Sequence, residues 1–323
     1  MSAGLLVTTA WLHDHLDDDN MRIVDIRGHV LPPNAPPPHY FNHYEDYLVS
    51  HIPGAVFVDW VYEITDPTDL HHARIAPPAR FAEVMARRGI SDQTLVVAYD
   101  DAGSMFAARL WWALNYYGHT RVAVLDGGWN KWVAEGRPVT DALPTIAPAA
   151  FTARPQPAWV RTGDQVMARL GTSTRLIDVR TPQEFNGEWS RAARYGHIPG
   201  AVNLPRASLV NPDGTLISPA QLRARLAALG IVDQDAECVT YCNAGVSGAL
   251  GLLALRAAGF LNSALYDGSR NGATTFAGQS PESSCVRARE GVCLKHLQVH
   301  ELQRSDVGCF QVNRRRTAGL VSL

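Results

Sequence analysis

An α/β fold of two tandem domains, each a mainly parallel sheet flanked by helices, is predicted by three observations. The sequence repeats itself once, in the same order and over whole domains. Within each half, short β-branched runs alternate with helical patterns, which implies crossovers and parallel strands. Proline, glycine and serine stand where turns and helix ends are needed.

Four matches carry the repeat. IVDIR (23–27) returns as LIDVR (176–180), and HIPGAVFVDW (51–60) as HIPGAVNLPR (197–206). RRGISDQTLVVAYDDAGS, ending at Ser104, returns as ALGIVDQDAECVTYCNAGVS, ending at Ser247, and LDGG (125–128) as YDGS (266–269). A period this long means a duplicated domain, not a solenoid. The expected domains are 5–140 and 158–269, joined by a Pro/Ala-rich run from Pro138 to Pro157, with an atypical tail over 270–323.

In the second half, LIDVR and GAVNL read as strands. Ser218 is an N-cap with Pro219 at the first helical position, and Gly230 closes that helix. ECVTYC (237–242) is an apolar strand, SGALGLLALRAAG (247–259) a helix, and ALYD (264–267) another strand. Ligands of such sheets collect beyond the carboxyl ends of the strands.

The 323 residues are 46% hydrophobic, enough for two sizeable cores. With 29 basic against 31 acidic residues, no broad basic surface points to nucleic acid, so any anion site is local. Five cysteines are too few for a disulfide framework, and none has zinc spacing, so no metal is expected. The opening residues lack a basic, apolar leader, and no run is long and apolar enough to span a membrane. These features predict a cytoplasmic protein with no membrane or nucleic-acid partner; oligomeric state is left open.

Cys242 is the candidate nucleophile. It falls at the end of its strand, before the loop Asn243-Ala244-Gly245-Val246-Ser247 and the following helix. That geometry lifts the sulfur into a pocket, turns loop amides towards one point and aims a helix N-terminus there, all favouring thiolate. The matching residue of the first half is Asp100 in YDDAGSM, and an exchange of Cys for Asp suits a loop tip better than a packed core. Cys238, inside the strand, reads as inert packing. Asp178 and Arg180 recur as Asp25 and Arg27, and His197 as His51; features shared by both halves read as scaffold. His71, His72 and Arg74 lie where the first half could face a cleft, and Trp111, Trp112 and Trp129 read as packing the first core or the domain interface.

These residues resemble the tandem rhodanese family over roughly 5–269: HIPGA in both halves, the Asp-x-Arg strand, the strand–Cys–loop–helix unit and LDGG/YDGS. The resemblance implies two rhodanese-like domains, the second catalytic and the cysteine-free first one not. It implies sulfur transfer by double displacement through a persulfide, from a small-molecule donor to cyanide, a thiol or another acceptor, with no cofactor. Thiosulfate-type members carry Arg and Lys after the cysteine, whereas mercaptopyruvate-type members carry small residues; Asn243, Ala244 and Gly245 are uncharged, and Ser247 matches the terminal hydroxyl position. This favours 3-mercaptopyruvate. The arginine expected early in the second domain is replaced by Glu184, which leaves Arg191 or Arg194 as the anion clamp, by their bidentate geometry. Phosphatases of this fold type need arginine six residues after the cysteine, where Gly248 stands. A non-enzymatic binding or regulatory module would fit the first half alone, and the intact Cys loop argues against it for the whole chain.

The resemblance stops beyond Gly268. Arg270-Asn-Gly-Ala-Thr-Thr-Phe276 can be encoded so that reading from the third base gives Glu-Trp-Gly-Asp-Asp-Phe, the kind of continuation family members have. We therefore read a frameshift near Arg270, which makes 270–323 a segment not selected to fold with the domain and three of the five cysteines accidental.

Overall fold

The apolar runs of the first half form β1 (Leu6–Val7), β2 (Met21–Asp25), β3 (Gly28–Val30), β4 (Tyr40–Asn42), β5 (Val56–Phe57), β6 (Leu95–Tyr99) and β7 (Val122–Leu125). The computed structural model describes residues 4–32, 34–69, 74–191 and 195–269. Residues 270–323 with their proposed frameshift, His71, His72 and Arg194 lie outside the described residues. Five strands make one parallel sheet in the order β1-β7-β6-β2-β5, and β3 pairs with β4 as a separate antiparallel ribbon. Helices α1 (Thr9–Asp14), α2 (Tyr44–Val49), α3 (Pro78–Arg87) and α4 (Met105–Tyr116) lie in the crossovers, and α5 (Gly128–Ala134) follows the last strand.

The second half repeats this plan. Strands β8 (Val160–Arg161), β9 (Arg175–Asp178), β10 (Val202–Asn203), β11 (Cys238–Tyr241) and β12 (Ser263–Tyr266) form a parallel sheet in the order β10-β9-β11-β12-β8. Its helices are α6 (Gly163–Met167), α7 (Pro182–Phe185), α8 (Pro219–Ala228) and α9 (Val246–Ala257). The expected start of α8 is present as a capping box, Ser218 accepting from Gln221 N–H while the Gln221 side chain accepts from Ser218 N–H. Gly230 closes the turn with φ +76.

Strand alternation decides which residues face where. In β6, Val96 and Ala98 join the larger core, whereas Leu95, Val97 and Tyr99 point to a smaller cluster on the other face. The larger core is continuous across both halves: α4 packs directly on α9, with Trp111 and Trp112 beside Leu250 and Leu253 in one cluster. The two halves are therefore joined through apolar surface, and the Trp111/Trp112 expectation resolves as the domain interface. The run 138–157 is strapped to the first half by Thr140 with His51, Ala149 N–H to Ala86 O, and Gln156 N–H to Tyr116 O. Among the described residues no helix is long and apolar enough to cross a membrane.

Candidate active site

Strand β11 is buried along its length and ends at Tyr241, so Cys242 stands at the carboxyl end of a central strand, only 5% exposed. The loop then turns at Gly245 (φ +74), and α9 begins at Val246. Gly245 cannot carry a side chain: a Cβ would lie 2.8 Å from Asp267 Oδ1 and 2.9 Å from Arg109 Nη1. Ser269, itself left-handed at φ +44, reaches under the loop. Its Oγ accepts from the N–H of Cys242 (3.2 Å) and of Gly245 (3.1 Å), and donates to Tyr266 O (2.7 Å). Two of the amides expected to converge on one point are thus taken by the Ser269 hydroxyl.

The rest of the loop is tied on both sides. Asn243 Nδ2 donates to Glu184 Oε1 at 2.7 Å, and Thr181 Oγ1 donates to Glu184 Oε2 while capping α7. Glu184 is buried, and Asn243 Oδ1 is buried with no partner among the described residues. Ser247 Oγ meets Met105 Sδ of the first half at 3.1 Å. Ala244 is buried and Val246 half-buried. Arg191 donates from Nη2 to Leu31 O of the first half at 2.5 Å. Tyr40 shares that neighbourhood: burial pushes its hydroxyl up, the Arg191 charge pulls it back, and negative charge on Cys242 raises it. Arg191 and Cys242 of the second half thus both act electrostatically on Tyr40 of the first. Burial pushes the Cys238 thiol up to about 11, which agrees with its reading as inert packing.

The first half holds a carboxylate at the corresponding place. Asp100 follows Tyr99 as Cys242 follows Tyr241, and is buried. Its Oδ1 accepts from the N–H of Ala102 (2.8 Å) and Ser104 (2.9 Å), and its Oδ2 from Phe106 (2.7 Å) and Ala107 (2.8 Å). A strand-end anion held by backbone amides at a helix N-terminus is thus built into the molecule.

A rhodanese-like domain model matches residues 8–135 and again residues 162–274. The chain belongs to the rhodanese family. It is 36% identical over 251 residues to the sulfur carrier protein TtuD of Thermus thermophilus, covering 74% of this chain and 82% of that one. It is 35% identical over 232 residues to thiosulfate sulfurtransferase of Bos taurus, covering 70% and 77% of the two chains. The crystal structure of SseA from Escherichia coli, described with the 3-mercaptopyruvate sulfotransferases, superposes with a TM-score of 0.73 at 30% identity, covering 83% of this chain and 99% of that one. The chain is a sulfurtransferase of this family.

Within this rhodanese, the residues shared by both halves do scaffold work. Arg27 Nε holds Asp25 Oδ2 at 2.9 Å and Tyr99 donates its hydroxyl to Asp25 at 2.6 Å; Arg180 Nη2 holds Asp178 Oδ2 at 2.6 Å. Burial pushes the Asp25 carboxyl up to about 6 against the pull of Arg27. His51 and His197 donate from Nδ1 to Tyr47 O and Phe185 O, in line with their reading as scaffold. Trp129 lies under the Arg27 guanidinium at 4.2 Å, and Arg74 pairs with Asp69 at 3.8 Å. Gly248 stands where a phosphatase would need arginine, and a Cβ there would sit 2.7 Å from Leu265 Cδ1. Sequence reasoning missed Ser269, Asp267, Arg109 and Tyr40. Only Ser269 left a signal, as the one residue by which YDGS differs from LDGG after the shared Asp-Gly.

Proposed function

We propose that the chain moves sulfane sulfur through a persulfide on Cys242, with the second half, 158–269, catalytic and the first half, 5–140, not. The observation that carries this reading is the pairing of Cys242 with Asp100: the strand-end position that holds a buried anion in one half carries a thiol in the other. A thiolate there attacks the outer sulfur of a donor. The S–S or C–S bond of the donor breaks, and the electron pair leaves with sulfite or with the pyruvate enolate, which takes up a proton. The persulfide is again an anion, suited to the N-terminal end of α9. Cyanide or a thiolate then attacks the terminal sulfur and returns Cys242 as thiolate.

For the donor we favour 3-mercaptopyruvate over thiosulfate, because Asn243, Ala244, Gly245 and Val246 offer no cation to a dianion and Glu184 adds an acid beside them. Arg191, which shares its electrostatic neighbourhood with Tyr40 and Cys242, is the proposed clamp for the donor's anionic group, and Arg194 belongs to the same proposal. The relative named as a sulfur carrier supports a second class of acceptor, a partner protein, in place of a small thiol. A reducing, cytoplasmic setting completes the reading, since it keeps Cys242 reduced between turnovers.

Mass spectrometry of the full chain after donor treatment should find one added sulfur atom on the Cys242 peptide, and Cys242→Ser should reduce thiocyanate formation to background. Equal labelling of the other thiols, or activity surviving in Cys242→Ser, overturns the persulfide assignment. Thiosulfate outperforming 3-mercaptopyruvate on one preparation overturns the donor ranking alone.

A further inference from the structure

We infer that Arg109, a residue of the half without the cysteine, is a positioning residue for the Cys242 loop, acting through Asp267 and Gly245. The inference rests on the Cys242 reading and adds to it the reason why the first half is needed. Arg109 lies on α4, buried, with its guanidinium 4.5 Å above the Trp112 ring. Its Nη1 donates to Asp267 Oδ1 at 2.5 Å, across the junction between the halves. The other oxygen, Oδ2, accepts from Ile75 N–H, also of the first half, at 3.0 Å. Among the described residues, both oxygens of this second-half carboxylate accept from the first half.

Both members of this pair lie against the loop. The missing Cβ of Gly245 would fall within 2.9 Å of Arg109 Nη1 and of Asp267 O. One turn earlier on α4, Met105 meets Ser247. The loop is thus clasped between Ser269 below and α4 beside it, and Arg109 is the clasp that carries charge.

The charge has a definite task. A buried carboxylate next to a thiolate or persulfide disfavours the second anion. Burial pushes the Asp267 carboxyl up, and Arg109 is the strongest influence drawing it back down. Asp69, buried nearby, adds a further negative charge, while Tyr116 and Tyr117 also sense Asp267. Arg109 compensates this acidic group, so the anion-holding capacity of the loop is left for Cys242.

The test follows alkylation of Cys242 in the full chain by iodoacetamide as a function of pH, resolved by peptide mass spectrometry, together with thiocyanate formation. In Arg109→Gln the alkylation midpoint should move up by about one pH unit, with about tenfold less transfer at neutral pH. In Asp267→Asn, which leaves the cation alone, it should move down by a similar amount, and Arg109→Lys should keep the wild-type midpoint. A merely structural pair would lower melting temperature without moving the midpoint in opposite directions, and that result overturns the inference. Should Arg109→Gln not fold, Asp267→Asn decides alone, and an unmoved midpoint there refutes the idea. A wild-type chain that takes no sulfur on Cys242 defeats the proposed function itself; one that does, with both variants unchanged, defeats only the role of Arg109.

Discussion

The two strand-end loops are the same device in two states of use. In the first half, Asp100 to Ser104 lie between strand and helix, and the Asp100 carboxylate accepts four backbone N–H groups. In the second, the shorter segment Cys242 to Gly245 separates strand from helix, and the amides of Cys242 and Gly245 rest on the Ser269 hydroxyl. A carboxylate with two oxygens satisfies the amides permanently and gives up reactivity. In the second loop the amides of Cys242 and Gly245 are instead held by a neighbouring hydroxyl, and the strand-end residue is a thiol. On the proposed function, the halves differ in whether the anion is part of the chain or delivered by the reaction.

Five substitutions, one of them a control, sharpen or break that comparison. The largest effect is expected of Asp100→Ala, which strips buried amides of their acceptor and should destabilise the chain by about 3–5 kcal/mol in denaturant unfolding. An effect below about 1 kcal/mol would mean that the Asp100 carboxylate is not what organises the first loop. Gly245→Ala is next. It combines a left-handed backbone with a side chain 2.8 Å from Asp267 Oδ1, and should cost about 2–3 kcal/mol along with most of the sulfur transfer. Gly54→Ala is its control: φ is +76 and nothing lies within 4 Å, so only the backbone strain of about 1 kcal/mol should appear, with transfer unchanged. Equal losses in the two would remove the Asp267 contact from the account. The smallest effect is Ser269→Ala, which frees two loop amides and should cost about 1 kcal/mol in thermal or denaturant unfolding. The reverse exchange, Gly128→Ser in the first half, should cost more than that, because its Cβ would land on the Asp100 carbonyl oxygen. If Gly128→Ser is the milder of the two, the loops are less alike than their hydrogen bonds imply.

The strand–loop–helix unit and the duplication were legible because they depend on local pattern. The run ECVTYC and the Ser218-Pro219 start report strand and helix directly, and β11 and α8 appear within a residue or two of where they were read. Cys242 was legible for the same reason, aided by its exchange with Asp100 in a matched frame. Arg109 was not. It sits in an apolar helix where a lone cation has no sequence-level partner, and its partner Asp267 lies 158 residues away. Tyr40 and Arg191 likewise influence each other only because Arg191 reaches the first half, where it bonds Leu31 O.

By itself, then, the sequence determined the paired α/β architecture, the strand-end cysteine and the shared Asp-x-Arg anchors, all of them set by periodicity, capping and repetition along the chain. Tertiary structure alone decided that the cysteine loop is seated by the opposite half, because Arg109 reaches Asp267 only once α4 packs on α9. A buried charge chooses its partner by proximity in space, and that proximity exists only after the apolar faces of two distant helices have joined.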